Sequence, residues 1–153
     1  MSEWLLGVDP GKNGALAIIE TGTMALVAVE DMPPATGAAL GASIAALLED
    51  WKPFTICEAW VEKVGYMPGQ RGGWTFAENY GAILGALGAL GVPVHHISAA
   101  GWKRAQRVTA DKNTSRQRAV ELWPAQASWF ARVKDDGRAE AALIARYGAM
   151  ADG

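Results

Sequence analysis

Apolar positions in this chain fall into short unbroken runs near the N-terminus and into helical spacings further on. Leu5 to Val8 is one such run. It is followed by Asp9-Pro10-Gly11-Lys12-Asn13-Gly14, residues that tolerate unusual dihedrals, so it reads as a buried strand leading into a tight turn. Ala15 to Glu20 and Met24 to Val29 are the next two strands, joined by Thr21-Gly22-Thr23 in an antiparallel meander. Pro33-Pro34 breaks the chain before an Ala/Leu-rich helix over Ala38 to Leu48. A fourth strand, Phe54 to Glu58, arrives after a helix and is expected to run parallel to the first. Glu62 to Gly73 has little periodicity and several Gly and Pro residues, which predicts a loop of a length that often carries function.

Trp74 to Leu90 has helical spacing, with Gly81, Gly85 and Gly88 forming a small-residue stripe. The stripe suits close helix-on-sheet packing or a dimer contact, and packing is the preferred reading. Val92 to Ile97 is the fifth strand. Ser98 is placed to cap a short helix containing Trp102 and Lys103, and Asn113 or Thr114 to cap another running to Leu122. Arg138 to Tyr147 is the last helix. The order of these elements predicts an α/β fold, a mixed five-stranded sheet with helices on both faces.

A length of 153 residues with 50% hydrophobic and 20% charged positions fits one domain spanning 1–153 with a sizeable core. Met1-Ser2-Glu3 carries an acid where a secretory leader has a basic region, and the weakly polar stretch Gly81 to Val94 is too short to span a bilayer. A soluble, cytoplasmic protein without membrane partners is expected. The single cysteine, Cys57, excludes an internal disulfide, and no zinc motif is present. A net charge of -2 argues against a nucleic-acid partner until the distribution is considered. Between Gly101 and Arg118, the cations Lys103, Arg104, Arg107, Lys112, Arg116 and Arg118 face Asp111 alone, so a basic segment coexists with an acidic remainder.

The acids carry the candidate chemistry. Asp9 and Glu58 each close an apolar run, while Asp136 and Glu140 lie four residues apart before an Ala/Leu/Ile face. If the first and fourth strands are parallel neighbours, Asp9 and Glu58 can converge, and a four-residue helical step aims Asp136 and Glu140 the same way. Converging carboxylates repel one another unless cations occupy the site, and their hard oxygens suit Mg²⁺. Two ions about 4 Å apart would support in-line attack of water on a phosphodiester, with Asp9 bridging them. Singly, each acid has a plainer role: Asp9 in turn nucleation, Glu58 in a surface ion pair, Asp136 as a helix cap and Glu140 as a solvated helix residue. Their joint placement favours metal binding.

These residues resemble the RuvC family of Holliday-junction resolvases, within the ribonuclease-H-like superfamily. The resemblance covers nearly the whole chain. It rests on Leu6-Gly7-Val8-Asp9-Pro10-Gly11 with Gly14-Ala15-Leu16-Ala17, on Cys57-Glu58 with Val61, and on Asp136-Gly137-Arg138-Ala139-Glu140 through Ala145. Met67-Pro68-Gly69-Gln70 with Phe76 and Tyr80-Gly81 is closer to the phage-type branch. The resemblance implies a ribonuclease-H-like fold and a Mg²⁺-dependent endonuclease with two ions per site, Mn²⁺ substituting. It also implies a homodimer that nicks two strands of a four-way or other branched DNA, leaving 5′-phosphate and 3′-hydroxyl ends. Lys103 and Lys112 fall where the family places basic residues near the scissile phosphate; plain phosphate anchoring is the other role open to them. Many members pair acids three apart in the last helix, whereas Gly137 stands three before Glu140, leaving Asp135 or Asp136 as the partner, with Asp136 preferred.

For DNA contact the candidates are Lys12, Lys63, Tyr66, Arg71, Trp74, Lys103, Arg104, Arg107, Lys112 and Arg116, with Tyr66 or Trp74 as a stacking platform. His95 and His96 alternate across a strand and are expected to be ordinary strand residues, and Cys57 a buried thiol. Two other readings compete: a noncatalytic junction-binding protein on the same fold, and a sugar-kinase/Hsp70-like nucleotide-binding domain, which normally needs two such domains.

Overall fold

The computed structural model describes residues 3–65 and 69–151. Three strands open the chain, β1 (Trp4–Asp9), β2 (Ala15–Glu20) and β3 (Leu26–Asp31), followed by helix α1 (Gly37–Asp50). Strand β4 (Ile56–Lys63), helix α2 (Gly73–Ala89) and strand β5 (Val94–Ser98) come next. Helices α3 (Ala99–Gln106) and α4 (Lys112–Leu122) then lead through 3-10 turns at Pro124–Phe130 and Val133–Asp135 into α5 (Asp136–Ala151). The sheet order is β3-β2-β1-β4-β5. β1 pairs antiparallel with β2 and parallel with β4, and β4 pairs parallel with β5. This is the predicted mixed sheet.

β1 sits at the centre, so both of its faces need apolar cover, which is why Leu5, Leu6 and Val8 form an unbroken run rather than an alternation. Leu6 and Val8 meet Leu40, Ile44, Ile83 and Leu87 of α1 and α2 on one face. Leu5, Ala17 and Ile19 meet Ala141, Ala142 and Ala145 of α5 on the other, with Trp102, Trp123 and Phe130 behind. The alanine-rich face of α5 brings it unusually close to the sheet. A Cβ on Gly7 would stand 2.3 Å from the Ala141 carbonyl oxygen, and one on Gly137 would stand 2.1 Å from the Asn13 carbonyl oxygen. Glycine at those two points is therefore what lets α5 lie against β1 and start against the β1–β2 turn.

Several boundaries differ from the sequence expectation. β3 begins at Leu26 rather than Met24, because Met24 takes a positive φ of 60° and closes the turn with its N–H donating to the Glu20 carbonyl. β5 runs over Val94–Ser98 rather than from Val92. Asp111, not Asn113 or Thr114, caps α4, its Oδ1 accepting from the Asn113 N–H at 2.9 Å. The Gly81, Gly85 and Gly88 stripe does not pack on the sheet: nothing lies within 4 Å of where their Cβ atoms would be. The largest change is in β4, which does not end at Glu58 but continues to Lys63. Ala59 and Val61 are fully buried against the α1–α2 side, so the apolar pattern carries the strand five residues beyond the expected stop. Among the described residues, no helix is long and apolar enough to cross a membrane.

Candidate active site

Extending β4 changes which acid meets Asp9. The β1–β4 register pairs Leu5 with Glu58, Gly7 with Trp60 and Val8 with Val61, so the next step sets Asp9 level with Glu62. Glu58 lies at the other end of the pair, four residues back from that level, or about 13 Å at ~3.3 Å per residue. Glu58, Trp60 and Glu62 project to the same face in succession, and Trp60 stands between the two acids. Glu58 accepts from Trp60 Nε1 at 3.1 Å and meets His95 Nε2 at 2.8 Å, with the His95 ring stacked on Trp60 at 4.8 Å. The expected place of Glu58 beside Asp9 is thus corrected: the structure brings Glu62 there instead.

Asp9, Glu62 and Glu140 face one another below the carboxyl ends of β1 and β4. Burial pushes the Asp9 carboxyl up to about 7, reinforced by the negative charge of Glu140; the Gly11 N–H and Lys112 pull the other way. The Gly11 N–H donates to Asp9 Oδ1 at 3.3 Å, so Asp9 also performs the turn-forming role open to it from sequence. Glu140 is only 8% exposed, hydrogen-bonds Asp9, and is raised chiefly by burial, with Lys103 and Lys112 opposing. Glu62 is likewise raised by burial and by Asp9, against the hydrogen bond it accepts from the Trp102 indole at 3.0 Å. Three carboxyls whose ionised forms are all disfavoured in one place make a site that favours protons or cations.

Asp136 begins α5 and is bridged by Lys112 Nζ at 3.0 Å. That contact, ahead of the charges of Glu140 and Asp9, holds Lys112 above its ordinary range. Asp135, the alternative, is 1% exposed and held by arginines. It accepts from the Arg132 backbone N–H at 2.8 Å and from the Arg132 guanidinium, with Arg138 at 3.8 Å. Burial would raise Asp135, but those hydrogen bonds prevail and hold it low. Asp135 is a structural anchor of the turn before α5, which leaves Asp136 facing the site.

The donor set fits a hard divalent cation in kind, because every available ligand atom is a carboxylate oxygen. In arrangement it is not closed: among the described residues, no three His, Cys, Asp or Glu side chains are gathered as they stand in a way that could hold a metal ion. Asp9 and Glu140 bond to each other, Asp136 to Lys112 and Glu62 to Trp102, each acid finding a substitute partner.

The predicted DNA-contact residues surround this point unevenly. Lys12, Asn13 and Lys112 line a groove with Arg132, Lys134 and Asp136, and Lys12 also borders a larger cleft with Arg71, Phe76 and the Pro33-Pro34 break. Trp74 is 80% exposed, and Lys63, Arg71 and Arg104 are exposed. Lys103 lies 5.5 Å from the Trp102 ring centroid. Arg116 instead donates to the carbonyls of Phe130 and Ala131 at 3.0 and 2.6 Å, pinning the 3-10 segment. Tyr66, and Met67-Pro68 of the quoted resemblance, lie outside the described residues. The sequence expectation puts Glu62 at the start of a loop rather than in β4. The signal for Glu62 was the apolar Ala59-Trp60-Val61 continuing past Glu58.

Solved structures share this architecture. Thermus thermophilus RuvC in complex with Holliday junction substrate matches with a TM-score of 0.66 and 21% identity, covering 97% of this chain and 96% of that one. A second Thermus thermophilus RuvC structure matches at 0.63 and 21%, with the same coverage of both chains. The fowlpox virus Holliday junction resolvase matches at 0.62 and 17%, covering 97% and 98%. No family model and no curated protein matches the sequence. The fold is therefore the RuvC-type, ribonuclease-H-like one.

Proposed function

We propose that this chain is a Mg²⁺-dependent endonuclease that resolves Holliday junctions or related branched DNA by paired nicks, acting as a homodimer. The observation that carries the proposal is the meeting of Asp9, Glu62 and Glu140 at the carboxyl edge of β1 and β4, with Asp136 adjacent, on a fold shared with a RuvC complexed to junction DNA. In this reading Asp9, Glu62, Asp136 and Glu140 are the ligands, and Glu58 is not. Bound Mg²⁺ supplies activation of water and stabilisation of the departing 3′ oxygen, with Mn²⁺ expected to substitute.

The protein's own groups do the rest. Asp9 and Glu140 give up the proton that burial and mutual repulsion retain. The Trp102 N–H fixes one Glu62 oxygen and leaves the other to face the site. Lys112 releases Asp136 and, with Lys103, offsets charge developing on the phosphate. Lys12, Arg71 and Arg104 bring cations to the flanking backbone, and Trp74 offers a face to an unpaired base. Two-fold symmetry presents equivalent sites to two strands of a four-way junction.

The unclosed arrangement of the acids favours one second reading, a junction-binding protein that does not cut. Purified protein incubated with a synthetic four-way junction or matched duplex, in Mg²⁺ or Ca²⁺, separates the two. Paired nicks on the junction in Mg²⁺ are expected; tight binding with no product in Mg²⁺ would establish the second reading instead.

A further inference from the structure

Arg107, Arg118 and Arg146 form a cluster that the proposed catalytic chemistry does not use. Arg118 Nε donates to the Gln106 backbone carbonyl at 3.0 Å, and Arg146 Nη1 donates to the Gln106 side-chain Oε1 at 2.6 Å. Gln106 is fully buried at the end of α3, and its Nε2 turns to the Met150 sulfur, so one neutral residue meets two cations, Arg118 through its backbone carbonyl and Arg146 through its side chain. Arginines drawn together in a fold ordinarily meet acids. Here Glu121 is the sole carboxylate hydrogen-bonded to any of the three among the described residues, and it touches Arg118 alone, at 3.2 Å. Burial lowers the Arg146 guanidinium from its ordinary range, and the charges of Arg118 and Arg107 push the same way. The groups are close enough to repel.

Arg107 adds an independent sign. It ends α3 with φ 61° and ψ 42°, the left-handed conformation, while Val108 N–H closes back onto the Lys103 carbonyl at 3.0 Å. That is the position where helices ordinarily place glycine, because a Cβ there is strained. A cation near a helix C-terminus is favourable, but Lys103 and Arg104 already supply that in the last turn. Neither the helix end nor an opposing acid calls for a third arginine here.

We infer that the surface where α3, α4 and α5 meet is an anchor for nucleic-acid backbone phosphate, in which Arg107, Arg118 and Arg146 hold a duplex arm of the substrate away from the cut. Arg146 lies six residues after Glu140, about 9 Å along α5 and roughly two-thirds of a turn around it, so the cluster addresses neighbouring phosphates rather than the scissile one. The inference rests on the proposed DNA substrate. It accounts for how a chain of net charge -2 keeps a polyanion: the cations are concentrated where an arm crosses.

The test is fluorescence anisotropy with labelled four-way junctions in Ca²⁺ across a salt series, using wild type, Arg107→Gly and Arg146→Gln. One junction has long arms and the other has arms trimmed to the core. On long arms each variant is expected to bind about three- to tenfold more weakly, with the slope of log K against log salt shallower by about 0.9 per lost phosphate contact. On trimmed arms they match wild type. Arg107→Gly should also unfold at a higher temperature, since glycine takes this φ without strain, so its weaker binding cannot come from a damaged fold. Wild-type affinity and slope for both variants on long arms, or equal weakening on trimmed arms, overturns the inference. A wild type that cuts junctions in Mg²⁺ while the variants bind as it does removes the anchor and leaves the nuclease. A wild type that never cuts, with variants weakened on long arms, removes the nuclease and leaves the anchor.

Discussion

Asp9→Asn is expected to reduce junction cutting by about three orders of magnitude while stabilising the metal-free protein at alkaline pH. The activity loss follows from removing the one acid that contacts both the β1–β2 turn and Glu140; several kcal/mol of transition-state stabilisation is a factor of about 10³. The stability gain follows from linkage. The Asp9 carboxyl sits at about 7 in the folded protein against an unfolded value of 3.8, so the native state binds the extra proton between those limits. Stability contributed by that proton is complete below about pH 4 and is lost as pH rises through about 7, a cost of a few kcal/mol. Asparagine keeps the shape and removes the titration. Thermal unfolding in chelator from pH 5 to pH 8 should therefore fall for wild type and stay flatter for Asp9→Asn. Mg²⁺ at pH 8 should raise the wild-type transition and leave the variant unmoved. A variant less stable than wild type at pH 8 would contradict the burial of a reluctant charge.

Glu62→Gln and Glu58→Gln are expected to separate sharply, although both change an acid of β4 on one face of the strand. Glu62→Gln keeps the acceptor for the Trp102 N–H but loses the charge facing Asp9, and cutting should fall by roughly 10²–10³-fold with a higher Mg²⁺ requirement. Glu58→Gln weakens the contacts to His95 and Trp60 at the other end of the strand, on the order of 1 kcal/mol of stability, with cutting within about twofold of wild type. Single-turnover cleavage rates alongside urea unfolding decide it. Equal loss of cutting in the two variants would return Glu58 to the site.

The sheet was legible in the chain because its strands are apolar runs with turn chemistry at their ends, and because β4 following a helix implied the parallel pairing found. The local parts of the site were legible for the same reason. Asp9 is fixed by the run before it and the turn after it, and the four-residue step between Asp136 and Glu140 follows from helical geometry. Glu62 was not, because its partnership with Asp9 depends on the register between strands far apart in sequence. A strand ending at Glu58 stops five residues short of the one observed, and two same-face positions short of Glu62. Asp135 and Asp136 were separable only once Arg132 was seen to hold the first of them. The arginine hub at Gln106 joins three helices, so the basic run up to Arg118 contains Arg107 and Arg118 but gives no sign of Arg146.

The most direct measurement is the anomalous difference map of crystals grown or soaked with Mn²⁺. Peaks are expected at coordination distance from Asp9, Glu62, Asp136 and Glu140 oxygens, with Lys112 moved off Asp136 and none at Glu58. Saturating Mn²⁺ that leaves Asp9 bonded to Glu140 and Lys112 bonded to Asp136, with no peak between them, would contradict it.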